Sequence, residues 1–243
     1  MREGWRGTYA AQGWCVVTEL FDAATCDRIV ELAAEGYSMD VGAEADGPLD
    51  YRPMGTVTNQ ALADLATDVR WKEIVRALVG RDARLYWEQL VTKPPFAQTL
   101  VPWHQDDGYA PVDPPGYITC WLALEDATLD NGCMWVLPGS HLAGTADEHV
   151  DTGGFFRVGY EGDEEGVPVE LRKGDCLVFS SLMQHRSGPN RTDSHRRAWI
   201  VQFCPAHARH GRTGRPFTDR LRVLTDGVWD PHPVRESRFT LDP

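Results

Sequence analysis

The chain has 243 residues, 42% of them hydrophobic, enough for one large domain with its own core. An excess of 36 acidic over 24 basic residues gives a net charge of −12. A surface of that sign repels phosphate backbones and excludes nucleic-acid binding as a main function. No run of about 18 apolar residues is present to cross a membrane. The opening Met1-Arg2-Glu3-Gly4-Trp5 is not followed by the apolar stretch of a secretory signal. Six cysteines, Cys15, Cys26, Cys120, Cys133, Cys176 and Cys204, are scattered without a C-x-x-C pair. That pattern argues against a structural zinc site or a disulfide framework, and a reducing cytoplasm is the expected compartment.

In chain order, Gly13-Trp14-Cys15-Val16-Val17 is a short β-rich run. Asp22 then offers an N-cap for a helix to about Ala34, with Ile29, Leu32 and Ala33 on one face. Residues 36–57 are rich in Gly, Asp and Pro and read as a loop, of which 38–56 is long enough for a lid. A second helix is expected from near Asp68, with Ile74, Val75 and Leu78 apolar, to Gly80. From Leu85 short β-prone runs alternate with turns: 85–92, 117–124, 133–137, 167–171, 176–179 and 199–204. Asn131-Gly132, Pro138-Gly139 and Lys173-Gly174-Asp175 punctuate them, which predicts a sandwich or barrel. Residues 143–166 interrupt this texture as an insertion over one mouth, and 205–243 read as an extended arm around a single 1–243 domain.

The chemistry-bearing pattern is His104-Gln105-Asp106, with His185 further on. On extended backbone His104 and Asp106 point to one face, since strand side chains alternate with period two. Two neutral imidazoles and a carboxylate on one face of an octahedral ion leave three positions open, as in non-haem Fe(II) oxygenases. Taken alone, H-x-D fits two core histidines and a surface Asp better. Asp107 points the opposite way on a strand, which leaves Asp106 as the ligand. Ser180 or Ser181 near His185 could be paired as a hydrolase, but no G-x-S-x-G elbow accompanies them, and the chain has no P-loop or Rossmann glycine pattern.

Several ordered blocks decide between these readings. They are Trp103-His104-Gln105-Asp106, Trp121 to Thr128, Asn131-Gly132-Cys133-Met134, Leu137-Pro138-Gly139-Ser140-His141, Gly174-Asp175 and His185 to Asn190. In that order, from Gly13-Trp14 to about Phe203, the chain resembles the phytanoyl-CoA dioxygenase family of Fe(II)- and 2-oxoglutarate-dependent oxygenases. The resemblance implies a mainly β fold, a double-stranded β-helix (a cupin-like jelly roll) with supporting α-helices. It implies His104, Asp106 and His185 as iron ligands, and Arg196, eleven residues after His185, as the anchor of the far carboxylate of 2-oxoglutarate. A guanidinium suits that task because its planar fork meets a carboxylate with two parallel hydrogen bonds. Arg197, one residue on, is the rival on the opposite strand face.

By the same resemblance Ser187, Lys93 and Trp121 fall in the cosubstrate pocket, and Thr119 shares a strand face with Trp121. Against that, a lysine before Pro94-Pro95 is often merely exposed, and a strand tryptophan is usually core. His141 reads as structural, while His149, His195, His207, His210 and His232 carry no assignment. The expected reaction consumes 2-oxoglutarate and O2, releases succinate and CO2, and oxidises, chiefly by hydroxylation, a small-molecule substrate such as a secondary-metabolite intermediate. Acyl-CoA hydroxylation, a 2-oxoglutarate-independent cupin-like isomerase or lyase, and an inactive binding module are the other readings. Relatives that halogenate lack the carboxylate ligand, so Asp106 speaks for oxidation without halogenation.

Overall fold

A computed structural model describes residues 5–41, 49–145, 149–151 and 156–232. Four α-helices come largely from the first third of the chain: α1 (Trp5–Gln12), α2 (Ala23–Ala34), α3 (Gln60–Ala66) and α4 (Lys72–Leu78). The strands of that part are β1 (Trp14–Val17), β2 (Met39–Val41), β3 (Leu49–Pro53) and β4 (Ala83–Lys93). Next come β5 (Val101–His104), β6 (Val112–Asp113), β7 (Ile118–Ala123), β8 (Met134–Val136), β9 (Val150–Asp151) and β10 (Arg157–Val158). The last are β11 (Val167–Val169), β12 (Cys176–Ser180), β13 (His185–Ser187), β14 (Arg196–Pro205), β15 (Arg209–His210), β16 (Arg222–Thr225) and β17 (Val228–His232).

Two antiparallel sheets face each other. The larger runs β1-β12-β7-β14-β4-β16-β17, with β3 and β2 added beside β4, and the smaller runs β11-β8-β13-β5. This is the jelly-roll arrangement expected from the ordered motifs. Strand alternation divides the large sheet's side chains between two cores. Leu85, Leu90, Trp199, Val201 and Phe203 pack outward with Ile29, Leu62, Trp71 and Ile74 of the helical layer. Trp121, Ala123, Phe179, Ala198 and Ile200 pack inward against Met134 and Val136 of the small sheet. The functional side chains come from both sheets, Thr119, Arg196 and Gln202 from the large one and His104 and His185 from the small one.

Local rules account for the predicted helices. Asp22 caps α2 by accepting a 2.7 Å bond from the Thr25 amide, and Asp68 caps a 3-10 turn (Val69–Trp71) that leads into α4. α3, capped by Asn59, and α1 were not expected; both are short, seven and eight residues long. Residues 36–57, expected as a loop and lid, are corrected: β2 pairs with β3, and β3 continues the large sheet along β4 with Tyr51 opposite Val91. Backbone pairing to an open strand edge overrides the loop-like composition there; residues 42–48 of the proposed lid lie outside the described residues. The 205–243 segment likewise adds strands, β15 on β6 and β16 on the far end of β4, rather than only wrapping the barrel. Residues 233–243 of that arm also lie outside the described residues.

The Gly174-Asp175 turn ties the helical layer to the sheet. Gly174 has φ +91°, and its carbonyl accepts bonds from the amides of Leu20 (2.9 Å) and Phe21 (3.2 Å). Asp175 accepts the Glu19 amide at 2.8 Å and the Arg172 amide at 3.1 Å. A Cβ on residue 174 would lie 2.1 Å from the Phe21 carbonyl oxygen. Gly174→Ala is therefore expected to cost about 3 kcal/mol from backbone strain and the displaced turn. A shift of the urea midpoint corresponding to less than about 0.5 kcal/mol would show that the turn yields freely.

Candidate active site

The small sheet sets two imidazoles side by side. In the antiparallel pairing of β5 with β13, His104 stands directly opposite His185, and their ring centroids are 4.1 Å apart. Each ring is fixed by its Nδ1, which lies 2.8 Å from the Pro102 carbonyl in His104 and 2.9 Å from the Met183 carbonyl in His185. A carbonyl only accepts, so Nδ1 carries the hydrogen and the Nε2 lone pair is left for a metal. Burial, reinforced by His185, pushes the His104 pKa down to about 3, which keeps this ring neutral.

Asp106 completes the group. The strand ends at His104 and Asp106 opens a 3-10 turn (Asp106–Gly108), so the expectation of one continuous strand is corrected. Gln105 alone stays extended (φ −108°, ψ 140°), and that single residue is enough to keep His104 and Asp106 on one side. Asp106 Oδ1 lies 3.5 Å from His185 Nε2 and 4.0 Å from His104 Nε2. The donor atoms of the three residues all fall within 4.8 Å of one another. Two imidazole nitrogens and a carboxylate oxygen at that separation fit a non-haem iron ion.

The other carboxylate oxygen is occupied by the protein. Oδ2 accepts bonds from Thr119 Oγ1 (2.5 Å) and Gln202 Nε2 (3.0 Å), while Gln202 and Thr119, paired across β14 and β7, are also 3.0 Å apart. Burial works to raise the Asp106 pKa, but the His185 and His104 rings and the Thr119 bond outweigh it and hold the pKa below the usual carboxylate range. Thr119 thus contacts the carboxylate of the triad. Gln202 escaped the sequence reading; only the strand register reveals it. Asp107 is buried and turned aside, accepting bonds from the Val112 amide at 3.3 Å and Thr145 Oγ1 at 2.9 Å.

At the other end of the inner face lies Arg196, 1% exposed, its guanidinium carbon 5.3 Å from the centre of the Trp121 ring. Its Nε and Nη1 have no hydrogen-bond partner among the described residues. Burial lowers its pKa to about 10. Buried, charged and unsatisfied, this group is built for an anion that the protein itself does not supply. Arg197 points the other way and is paired with Glu125, its Nη1 2.6 Å from Oε1 and its amide 2.7 Å from Oε2.

Lys93, paired across the strands with Arg196, is fully buried. Its ammonium donates to the carbonyls of Thr99 (3.0 Å), Ser187 (3.3 Å) and Gly188, so its donors are spent on backbone. Burial first, and Arg196 second, depress its pKa well below the ordinary lysine value. Ser187 is buried on β13, opposite Met134. Asn190 donates from one amide nitrogen to the carbonyls of Lys93, Pro94 and Ser194. The described part of 143–166 reaches the site through His149, whose Nε2 accepts the Gln105 amide at 2.9 Å, and Arg157, which donates to the Gly108 carbonyl at 3.2 Å. His141 packs beside Gly13, where a Cβ would come within 2.4 Å of its ring.

Comparison with known proteins agrees with this geometry. Curated relatives include phytanoyl-CoA dioxygenase 1 of Oryza sativa subsp. japonica, 36% identical over 44% of this chain and 39% of that protein. Methylphosphonate hydroxylase of Gimesia maris is 34% identical over 64% of this chain and 60% of that protein. Human peroxisomal phytanoyl-CoA dioxygenase is 32% identical over 54% and 42%. The chain thus spans less than two thirds of each of these relatives. Among solved structures, the non-haem α-ketoglutarate-dependent epimerase SnoN from nogalamycin biosynthesis superposes with a TM-score of 0.72 at 26% identity, covering 88% of this chain and 85% of that one. A SnoN complex with Fe3+, α-ketoglutarate and nogalamycin RO gives a TM-score of 0.74, also at 26% identity, over 88% and 86%. No helix among the described residues is long and apolar enough to cross a membrane. The model of the phytanoyl-CoA dioxygenase (PhyH) family matches residues 9–198, well over half of the sequence, and the chain belongs to that family.

Proposed function

We propose that this protein is a non-haem Fe(II)- and 2-oxoglutarate-dependent dioxygenase that oxidises, chiefly by hydroxylation, a small-molecule substrate and releases succinate and CO2. One observation carries the reading. The two facing sheets bring together a two-imidazole, one-carboxylate donor set, its histidines on the small sheet, and a buried, unsatisfied guanidinium on the large one. Thr119 contacts the first and Trp121 the second, and two residues on extended backbone span about 7 Å, a length that suits a five-carbon diacid.

Iron, once bound with 2-oxoglutarate and O2, supplies the oxidising power; the protein supplies position and a dry pocket. His104 and His185 offer Nε2 with tautomers set by Pro102 and Met183. Asp106 offers Oδ1 while Thr119 and Gln202 fix its plane through Oδ2. Arg196 receives the far carboxylate of 2-oxoglutarate, steadied by the face of Trp121. Lys93 holds the Thr99 and Ser187–Gly188 backbones around that arginine rather than reaching the cosubstrate. Asp106 fills the position that a halide would need, which supports oxidation without halogenation. The hydroxylase among the relatives favours the same outcome.

The test is succinate formation by the iron-loaded protein with 2-oxoglutarate, with and without candidate small molecules. The expected result is substrate-stimulated succinate, one per product, with oxygen from 18-O2 in any hydroxylated product. Product formation with no consumption of 2-oxoglutarate would move the assignment to a cupin-like isomerase or lyase, and a chlorinated product in chloride buffer would overturn the role given to Asp106.

A further inference from the structure

Beside the triad, the inner face carries a polar cluster with no part in holding iron or cosubstrate. Gln89 Oε1 accepts two hydrogen bonds, from Tyr51 Oη at 2.6 Å and Trp87 Nε1 at 2.7 Å. An indole nitrogen only donates, so the amide atom facing it must be the oxygen, and the side-chain flip is settled by chemistry. The Gln89 Nε2 group is thereby turned away from both, and it has no hydrogen-bond partner among the described residues. Register places the cluster: Trp87 is directly opposite Gln202, whose amide holds Asp106, and Gln89 is opposite Ile200 of the inner core. All three residues are partly exposed.

We infer that Gln89 is a specificity-determining residue, whose fixed Nε2 donates to a neutral oxygen acceptor, a carbonyl or hydroxyl, on a substrate with a ring body resting on Trp87 and Tyr51. This rests on the oxygenase reading above and names the substrate class it serves. The amide is held in place before substrate arrives, so little rotamer freedom is lost on binding. Two aromatic rings flanking one donor match a flat, largely apolar body with one polar handle.

The experiment uses a matched pair of probes, 1-tetralone and tetralin, which differ only in the carbonyl. Each is titrated into the anaerobic protein loaded with Fe(II) and 2-oxoglutarate, following the visible charge-transfer band and the heat of binding. The wild-type chain is expected to bind the ketone about tenfold more tightly than the hydrocarbon, the size of one net hydrogen bond. Gln89→Leu should bind both equally, and Gln89→Glu, which replaces the donor by an acceptor, should bind the ketone no better than the hydrocarbon. Trp87→Phe keeps the ring but releases the amide, and should lose most of the preference. No ketone preference in the wild type, including no binding of either probe, or a preference that survives Gln89→Leu, overturns the assignment. A wild-type chain that fails to take up Fe(II) and 2-oxoglutarate overturns the oxygenase reading instead, and the same pair titrated into the metal-free chain still decides the role of Gln89.

Discussion

His185→Ala should abolish turnover while leaving a folded protein. Groups that merely orient a metal ligand are worth tenfold to a hundredfold in affinity or activity, so removing one of three ligands should exceed a hundredfold. The ring sits directly opposite His104 and packs on Phe179 with centroids 4.6 Å apart, which makes its loss a local change in the inner core. His104 gains from the substitution in one respect, since His185 is one of the causes of its depressed pKa. Anaerobic iron titration, with circular dichroism to verify folding, is the direct check. Stoichiometric, tight iron binding by His185→Ala would remove this residue from the ligand set; His104→Ala and Asp106→Ala should behave alike.

Arg196→Ala should raise the KM for 2-oxoglutarate by well over tenfold, about 1.5–3 kcal/mol for a charge-assisted pair in a desolvated pocket. Arg197→Ala should change it little, because that guanidinium is already paired with Glu125 and both side chains are more than a quarter exposed. Such partly exposed pairs contribute about 0–1 kcal/mol to stability. Thermal stability gives a second, independent reading. An unpaired buried cation opposes folding, so Arg196→Ala should not lower the melting temperature of the cosubstrate-free protein. In wild type, saturating 2-oxoglutarate with metal should raise the melting temperature by mass action, and the substitution should erase that rise. A cosubstrate-induced shift lost in Arg197→Ala and kept in Arg196→Ala would reverse the assignment.

Much of this was legible in the sequence, for reasons that differ between elements. Strands such as Ile118–Ala123 and Cys176–Ser180 announce themselves because apolar runs between glycine turns have few other folds open to them. The His104/Asp106 pairing was read from strand alternation, and it survives although the strand stops at His104, since only Gln105 needs to be extended. Arg196 was preferred to Arg197 for its spacing of eleven residues from His185, and the structure separates the two by strand face, Arg196 against Trp121 and Arg197 against Glu125. Gln202 and Gln89 were invisible because their meaning lies in cross-strand partners 83 and 38 positions away, Thr119 and Tyr51. The misread segment at 36–57 teaches the converse. Its composition is that of a loop, but pairing along β4 is decided by backbone groups that composition does not report.

The buried thiols have a bearing on how long such a catalyst lasts. All six cysteines are free and buried. Burial pushes Cys15 and Cys204 up to about 12 and Cys133 up to about 11, the last despite the nearby Arg196. The reactive form of cysteine is the thiolate, so these side chains are withheld from oxidants at neutral pH both by access and by ionisation. On the proposed function, cosubstrate consumed without substrate would release damaging oxidants at the metal. Among the described residues the sulfur most open to such misfires is a thioether, Met39 at 36% exposure, whose oxidation is reversible. Wear during idle cycling would fall first on a replaceable surface group at the sheet edge, and last on the thiols that pack the barrel.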